Sequence, residues 1–208
     1  MDEDVHHTQA VPSHYTCIFQ SECVASPPEI MDKVAKNLLI TGEPGIGKST
    51  LVQRLIPGLK ALKPIGFYTE EIRNNGTRVG FQLISLDGRR QNLAHVDMRS
   101  PIVIGKYRVS VHHLEQFLER LDLVGCDSRL VLVDEIGKME CLSRKFRETI
   151  CELLEQDRML IATIAVNGAE LIDTVKRRDD VTLLEMTRRN REDMVAKVLR
   201  WIQQVRFS

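Results

Sequence analysis

Residues 42–49 restrict the possible folds of this chain more than any other stretch. They read Gly-Glu-Pro-Gly-Ile-Gly-Lys-Ser and fit the pattern G-x-x-x-x-G-K-[ST]. An apolar run of strand length, residues 37–41, precedes them, and apolar residues at helical spacing follow them. Because this phosphate-binding pattern requires a strand before it and a helix after it, the flanking residues support the match. The sequence therefore predicts a phosphate-binding loop (P-loop) between a strand and a helix.

The residue types of this loop suit phosphate binding. Glycines let the backbone turn so that successive N–H groups point inward, and the following helix adds the positive end of its dipole. We expect Lys48 to reach the β- and γ-phosphates and Ser49 to place its hydroxyl on Mg²⁺. The predicted nucleotide-binding residues of the loop are Gly42, Glu43, Pro44, Gly45, Ile46, Gly47, Lys48, Ser49 and Thr50.

Residues 130–135 have the form of a Walker B segment, in which an apolar strand ends in carboxylates. Four apolar residues are followed by Asp134 and Glu135. Asp134 is predicted to bind Mg²⁺ directly or through water together with Ser49. Glu135 is predicted to orient or deprotonate an attacking water. Paired acids at a strand end are surface residues in most proteins, but their position after a P-loop favours the catalytic interpretation.

Further polar residues are candidates for contacts with the nucleotide. Lys138 is predicted as a catalytic residue that stabilises charge on the γ-phosphate, although a solvated loop lysine fits the sequence equally well. Arg73 and Arg78 are interpreted as arginine fingers or, more simply, as cross-strand charges. Asn190 and Arg191 follow the last predicted strand, where P-loop folds hold the base, and are predicted to contact the nucleotide. Capping of the last helix explains Asn190 equally well.

The rest of the sequence alternates between strand-like and helix-like patterns. A β-hairpin insert is predicted from a strand at 65–72, a turn at 74–76 and an antiparallel strand at 79–83. Further strands are predicted at 92–96, 130–133, 159–166 and 181–184, and helices at 111–121, 142–154, near 168–177 and after 190. Pro57 and Gly58 are expected to end or kink the helix after the P-loop. The charged segment 176–180 is interpreted as a turn in preference to a phosphate-closing lid.

Strands that alternate with helices indicate a parallel sheet with right-handed crossovers and a ligand site at the carboxyl ends of the strands. The predicted fold is therefore α/β, a three-layer P-loop NTPase fold with a mostly parallel sheet flanked by helices and a β-hairpin insert. This domain is predicted to span residues 34–208. Residues 1–33 lack sustained periodicity and contain three prolines, which predicts a flexible leader.

Composition excludes several classes of function. The 29 basic and 29 acidic side chains cancel, so stable nucleic-acid binding is not expected. No apolar stretch approaches the roughly 20 residues that cross a bilayer, so no membrane partner is expected either. Five cysteines at irregular spacing and an acidic start without a targeting pattern predict a reduced, cytoplasmic protein. We expect a monomer or weak oligomer with a nucleoside triphosphate as its substrate.

Six motifs resemble one family, the cancer-related nucleoside-triphosphatases of the small P-loop type, and they occur in the order of that family. One is Asp-Glu-Ile-Gly-Lys-Met-Glu at 134–140. The other five are Thr-Gly-Glu-Pro-Gly-Ile-Gly-Lys-Ser-Thr at 41–50, Gly-Phe-Tyr-Thr-Glu-Glu-Ile-Arg at 66–73, Gly-Thr-Arg-Val-Gly-Phe at 76–81, Ile-Gly-Lys-Tyr-Arg-Val at 104–109 and Thr-Arg-Arg-Asn-Arg at 187–191. The resemblance runs from about residue 36 to residue 206.

The resemblance implies Mg²⁺-dependent hydrolysis of nucleoside triphosphates to diphosphate and phosphate. It also implies loose base selectivity, with ATP, GTP, CTP and UTP all accepted, and a fold related to nucleotide kinases and RecA-type ATPases. The sequence contains no Asn-Lys-x-Asp or Thr-Lys-x-Asp segment that would read guanine, which agrees with weak base choice.

Two other functions remain open at this point. A nucleotide or nucleoside kinase on the same fold would need a pocket for the phosphate acceptor, and Phe67, Tyr68 and Phe81 are the candidates to line it. A nucleotide-dependent binding module with slow hydrolysis would use the same P-loop and carboxylates to reset a partner complex.

Overall fold

The computed structural model describes residues 35–207 of the chain. The predicted leader, residues 1–33, lies outside the described residues, so its flexibility and the domain boundary stay predictions. The described strands are β1 (Asn37–Thr41), β2 (Ile65–Asn74), β3 (Thr77–Ser85), β4 (Arg90–His95), β5 (Val103–Ile104), β6 (Tyr107–Val109), β7 (Leu130–Ile136), β8 (Met159–Ile164) and β9 (Val181–Glu185). The described α-helices are α1 (Lys48–Leu59), α2 (Val111–Leu121), α3 (Arg144–Glu155), α4 (Glu170–Lys176) and α5 (Met194–Phe207).

All these strands belong to one mixed sheet in the order β5-β6-β4-β3-β2-β7-β8-β1-β9. The five strands from β2 to β9 in this order are parallel to one another. The other four continue the sheet from β2 as antiparallel neighbours. The hairpin predicted at 65–83 is therefore present, and it is the start of a larger antiparallel extension whose short strands β5 and β6 were not predicted.

Two apolar clusters cover the two faces of the sheet. Residues of β7 alternate between them: Val131 and Val133 pack with the helices α2, α3 and α4, whereas Leu130 and Leu132 pack with α1 and α5. All four side chains are completely buried, as the continuous apolar run predicts for a parallel strand covered on both faces. This three-layer arrangement confirms the predicted α/β fold.

Serine caps fix the starts of two helices on one face. The Ser110 hydroxyl accepts a hydrogen bond from the backbone N–H of His113 at the start of α2. The Ser143 hydroxyl accepts one from Phe146 at the start of α3. Each bond satisfies a backbone donor that the helix leaves without a partner. No helix of the described part of the chain is long and apolar enough to cross a membrane.

Three local features differ from the predictions. Helix α1 includes Pro57 and Gly58 and ends at the buried Leu59, so it extends slightly beyond the predicted end. The helix predicted at 142–154 begins at Arg144, and Leu142 lies in a 3-10 turn before it and is partly exposed. Asn190 does not cap the last helix, which begins only at Met194.

Candidate active site

The P-loop leaves the carboxyl end of β1 and leads directly into α1. Gly42, Gly45 and Gly47 have φ angles of 155°, 79° and 111°, which residues with a Cβ rarely adopt. At Gly42 the space is also closed, because a Cβ there would lie 2.5 Å from the carbonyl oxygen of Met186. The residue after β9 thus packs directly against the start of the loop. Gly42 is required by this contact and by its φ angle, whereas Gly45 and Gly47 are favoured by their φ angles.

Lys48 ties the P-loop to the Walker B strand. Its side chain is only 9% exposed, and its Nζ donates a hydrogen bond of 2.9 Å to the Gly42 carbonyl oxygen. The same Nζ lies 3.2 Å from Oε1 of Glu135. The structure therefore brings together two residues that are far apart in sequence and were predicted to act on the same phosphate.

Asp134 is the most deeply buried acid of the site, with an exposed fraction of 1%. Thr163 on β8 donates its hydroxyl to one carboxylate oxygen, and the backbone N–H of Thr69 on β2 donates to the other at 3.2 Å. Burial raises the pKa of Asp134, and the side chains of Thr163 and Ser49 and the backbone N–H of Thr69 oppose the rise. The carboxylate is thus held from the strands on both sides of β7.

Ser49 and Asp134 offer the donor types that suit Mg²⁺. Ser49 lies near enough to the Asp134 carboxylate to lower its pKa, and Mg²⁺ prefers oxygen ligands such as a hydroxyl and a carboxylate. Within residues 35–207, no group of three or more His, Cys, Asp or Glu side chains could hold a metal ion. A cation here would therefore complete its shell with phosphate and water oxygens, which is how Mg²⁺ usually binds beside a nucleotide. The residues present fit Mg²⁺ bound together with a triphosphate.

Glu135 follows Asp134 and is the more accessible of the two acids, with an exposed fraction of 32%. Burial raises the pKa of its carboxyl, the positive charge of Lys48 opposes the rise, and the negative charge of Asp134 adds to it. A partly exposed carboxylate that faces the P-loop lysine is well placed to hold a water beside a bound phosphate.

A third acid, Glu140, lies behind this pair. It is 5% exposed, and burial together with the charges of Glu135 and Asp134 raises its pKa to about 8. The backbone N–H groups of Glu140 and Gly137 oppose this rise. A Cβ at Gly137 would lie 2.7 Å from Oε2 of Glu140, so a side chain there would displace this carboxyl.

Lys138 is placed close to the loop after β8. Its side chain is exposed, and a Cβ added at Gly168 would lie 3.2 Å from its Cγ. This position is at the carboxyl edge of the sheet, but the catalytic role of Lys138 stays a prediction.

The two hairpin arginines pair with a neighbouring carboxylate. Nη2 of Arg73 lies 2.5 Å from Oε2 of Glu71, and Nη1 of Arg78 lies 2.8 Å from Oε1 of the same residue. Arg78 also donates to the Tyr107 hydroxyl at 2.9 Å and stacks over the ring of Phe81. The interpretation as a cross-strand charge is therefore confirmed for Arg78 of β3, whereas Arg73 pairs with a carboxylate of its own strand β2.

The loop that follows β9 forms a cavity with the P-loop. This cavity has a volume of about 340 Å³ and is lined by Glu43, Pro44, Gly45, Ile46, Arg188 and Arg191. Arg191 thus lies next to the P-loop, and its contact with the nucleotide stays a prediction. Arg188 was not identified as a site residue although it lies in the motif at 187–191. Asn190 shapes the loop: its Oδ1 accepts from the Thr187 N–H at 2.8 Å and its Nδ2 donates to the Glu185 carbonyl at 2.9 Å.

Sequence reasoning missed other residues of this edge as well. Thr69 and Thr163 hold Asp134, and Lys176 on α4 reaches the backbone directly after β8. Only Thr163 left a signal, because it is a polar residue inside the apolar strand 159–164 and such a residue needs a buried partner.

Comparisons with known proteins add a second line of support. The sequence model of a family described as NTPase matches residues 37–199. The nucleoside-triphosphatase THEP1 of Thermotoga maritima is 40% identical over 163 residues, which cover 78% of this chain and 92% of that protein. The cancer-related nucleoside-triphosphatase of Homo sapiens is 32% identical over 189 residues, which cover 83% of this chain and 100% of that protein.

Solved structures show the same likeness. The crystal structure of THEP1 from the hyperthermophile Aquifex aeolicus aligns with a TM-score of 0.68 at 32% sequence identity, over 78% of this chain and 96% of the other. The solution structure of a human cancer-related nucleoside triphosphatase aligns with a TM-score of 0.68 at 30% identity, over 81% of this chain and 98% of the other.

Proposed function

Since this chain belongs to the NTPase family, we propose that it hydrolyses nucleoside triphosphates to nucleoside diphosphate and phosphate. The family resemblance expected from the motifs is confirmed by these matches. The observation that carries the proposal is the contact between Lys48 of the P-loop and Glu135 of β7, 3.2 Å apart, at the carboxyl edge of the sheet. This pair joins a phosphate-binding cation to a candidate for the water-orienting group.

The chain's own groups bind the phosphates in this proposal. Backbone N–H groups of residues 45–50 and the N-terminal end of α1 surround the phosphate oxygens. The ammonium of Lys48 leaves its contact with the Gly42 carbonyl and donates to the β- and γ-phosphates. Ser49 and Asp134 would hold Mg²⁺, which when bound neutralises charge on the β- and γ-phosphate oxygens.

Glu135 acts on the attacking water. Its carboxylate accepts a hydrogen bond from the water and takes the proton as the water oxygen bonds to the γ-phosphorus. The bond between the γ-phosphorus and the bridging oxygen breaks at the same time, and the diphosphate leaves with the electron pair of that bond. The positive charge of Lys48 beside Glu135 favours the ionised form of the base before the reaction.

The cavity between the P-loop and the loop after β9 is the proposed place of the nucleoside. Arg188 and Arg191 line it, and both side chains are exposed. A guanidinium plane stacks on any base, since every base has an aromatic face. We therefore expect broad selectivity, with ATP, GTP, CTP and UTP all accepted.

The kinase alternative loses its support in the described part of the chain. Phe67 is completely buried and packs edge to face on Phe117, with ring centroids 5.7 Å apart. Phe81 packs on Tyr107 in the same manner at 5.1 Å. Two of the three aromatic residues that were expected to line an acceptor pocket thus belong to packed pairs, which favours hydrolysis by water at this site.

The wider setting of the activity is part of the same proposal. Residues 34–208 carry the site, and the protein acts in the cytoplasm as a monomer or weak oligomer on free nucleotides. Equal numbers of basic and acidic side chains support the absence of stable nucleic-acid or membrane partners. Cys126, Cys141 and Cys151 are free thiols, which accords with a reducing environment.

The test is phosphate release from ATP, GTP, CTP and UTP without any acceptor, with Mg²⁺ or with EDTA. The full chain should release phosphate from all four only with Mg²⁺. Lys48→Ala should abolish release, whereas the exposed Lys60→Ala should not change it. Near-normal release by Lys48→Ala would contradict the site, and tight nucleotide binding without release would favour the kinase.

A further inference from the structure

Hydrolysis at a P-loop usually needs a positive charge in addition to the P-loop lysine. Charge that develops on the γ-phosphate in the transition state is commonly stabilised by a further cation, such as an arginine finger. In this protein Arg73 and Arg78 are paired with Glu71 on the hairpin. A different cation, Lys176, lies at the carboxyl edge of the parallel strands.

The Lys176 ammonium is fixed directly after β8. It donates hydrogen bonds of 2.6 Å and 2.7 Å to the carbonyl oxygens of Ala165 and Val166. Its Cα is in the last turn of α4, and side chains of a helix lean toward the helix N-terminus. The side chain therefore runs back along α4 to the carboxyl edge of the sheet, where the P-loop begins.

The position of Ala165 places this ammonium between the two halves of the site. Strand β8 lies between β1, which leads into the P-loop, and β7, which ends in the Walker B acids. The backbone N–H of Ala165 donates to the carbonyl oxygen of Ile136 at 3.1 Å, one residue after Glu135. The ammonium is thus held on the central strand of the phosphate-binding edge.

One donor of this ammonium is still available. An ammonium carries three N–H groups, and two of them bind the carbonyls of Ala165 and Val166. Among residues 35–207, the structure gives Lys176 no third hydrogen-bond acceptor, and its side chain is half-exposed. Neutral carbonyls do not offset the positive charge of the ammonium, whereas a paired carboxylate would. The ammonium can therefore attract an anion.

The electrostatics agree with this placement. Burial lowers the pKa of Lys176, the charge of Asp173 opposes the fall, and the charges of Lys48 and Glu135 also act on it. Lys176 in turn lowers the pKa of Glu135. Lys176 therefore interacts electrically with both residues that flank the proposed γ-phosphate.

We infer that the Lys176 ammonium is a cation of the site in addition to Lys48 and donates its free N–H to an oxygen of the γ-phosphate. The inference rests on the proposed function, because it assigns a residue to the triphosphate in that same site. A diphosphate lacks the group that Lys176 contacts. Lys176 therefore distinguishes triphosphate from diphosphate and adds to the stabilisation of the transition state.

The test compares Lys176→Met, Lys176→Arg and the exposed control Lys197→Met on the full chain with Mg²⁺. Calorimetry gives the affinity for ADP and for a non-hydrolysable ATP analogue, and phosphate release gives kcat/KM. A charge-assisted hydrogen bond to the γ-phosphate predicts a loss of about 10-fold in analogue affinity for Lys176→Met. ADP affinity should stay within about 2-fold, and kcat/KM should fall about 100-fold. Lys176→Arg should recover part of both losses, and Lys197→Met should behave as the wild type.

Two results would overturn the inference. In the first, Lys176→Met binds both nucleotides and hydrolyses ATP like the wild type. In the second, its affinities for ADP and for the analogue fall equally and its Tm also falls, which would show a purely structural role. The affinities remain informative even without turnover. Wild-type protein that binds the analogue but releases no phosphate would contradict the proposed function, whereas the ratio of the two affinities would still decide the role of Lys176.

Discussion

Replacing Glu140 with glutamine should stabilise the protein at neutral and alkaline pH, by an amount that grows with pH. The Glu140 carboxyl is buried behind Asp134 and Glu135, and its pKa is raised from the ordinary 4.5 to about 8. The folded protein therefore holds a proton that the unfolded chain releases above pH 4.5. The stability linked to this proton is complete below pH 4.5, is lost as the pH rises, and is gone above about pH 8.

The size of the effect follows from the pKa. One pKa unit corresponds to about 1.36 kcal/mol. Between pH 4.5 and pH 7 the folded state thus loses on the order of 3 kcal/mol, and by pH 9 the loss reaches about 5 kcal/mol. Glutamine has nearly the same shape, its oxygen is an acceptor that can face the backbone N–H groups of Gly137 and residue 140, and it carries no charge. For a domain of this size the gain at pH 7 corresponds to about 6–12 °C in Tm.

The assay is urea and thermal unfolding of both proteins from pH 5 to pH 9, in EDTA and without nucleotide. Glu152→Gln on the exposed face of α3 controls for the general effect of removing one acid. The stability curves of Glu140→Gln and the wild type should nearly meet at pH 5 and separate as the pH rises. Curves that stay parallel across the range would show that Glu140 does not hold a proton in the folded state.

Two further predictions concern the metal and the nucleoside. Thr163→Val removes the hydroxyl that donates to Asp134, so the Mg²⁺ concentration for half-maximal phosphate release should rise several-fold. Thr163→Ser keeps a hydroxyl and should stay near the wild type. Equal behaviour of both variants would refute this role of Thr163. Arg188→Ala opens the cavity beside the P-loop, so KM should rise by a similar factor for all four triphosphates while kcat changes little. A rise confined to one base would instead mean that Arg188 reads that base.

The sequence predicts best the parts of the molecule whose chemistry is local. The glycines of the P-loop, Lys48 and the two acids after β7 are recognisable because a phosphate cradle and a strand end each impose residue types at fixed spacing. The buried apolar run of β7 likewise indicates a central parallel strand. Residue types and their spacing are therefore sufficient to predict the fold class and to identify a candidate site.

The remaining features depend on contacts between distant segments. Thr69 and Lys176 have no signal of their own, since their roles arise from pairing with Asp134 and with the backbone after β8. Asn190 resembled a helix cap because its residue type suits that role, but its amide bonds the loop at Thr187 and Glu185 instead. Propensity gives such a residue several possible partners, and only the packed structure selects one of them.

Glu135→Gln tests the central claim most directly, through nucleotide affinity and single-turnover phosphate release with Mg²⁺. Glutamine keeps the shape of the side chain beside Lys48 but cannot accept a proton from water. Nucleotide affinity should stay within about 3-fold of the wild type, and the rate of release should fall at least about 100-fold. Release at the wild-type rate, or an equal loss of binding and release, would contradict the proposed role of Glu135 at this site.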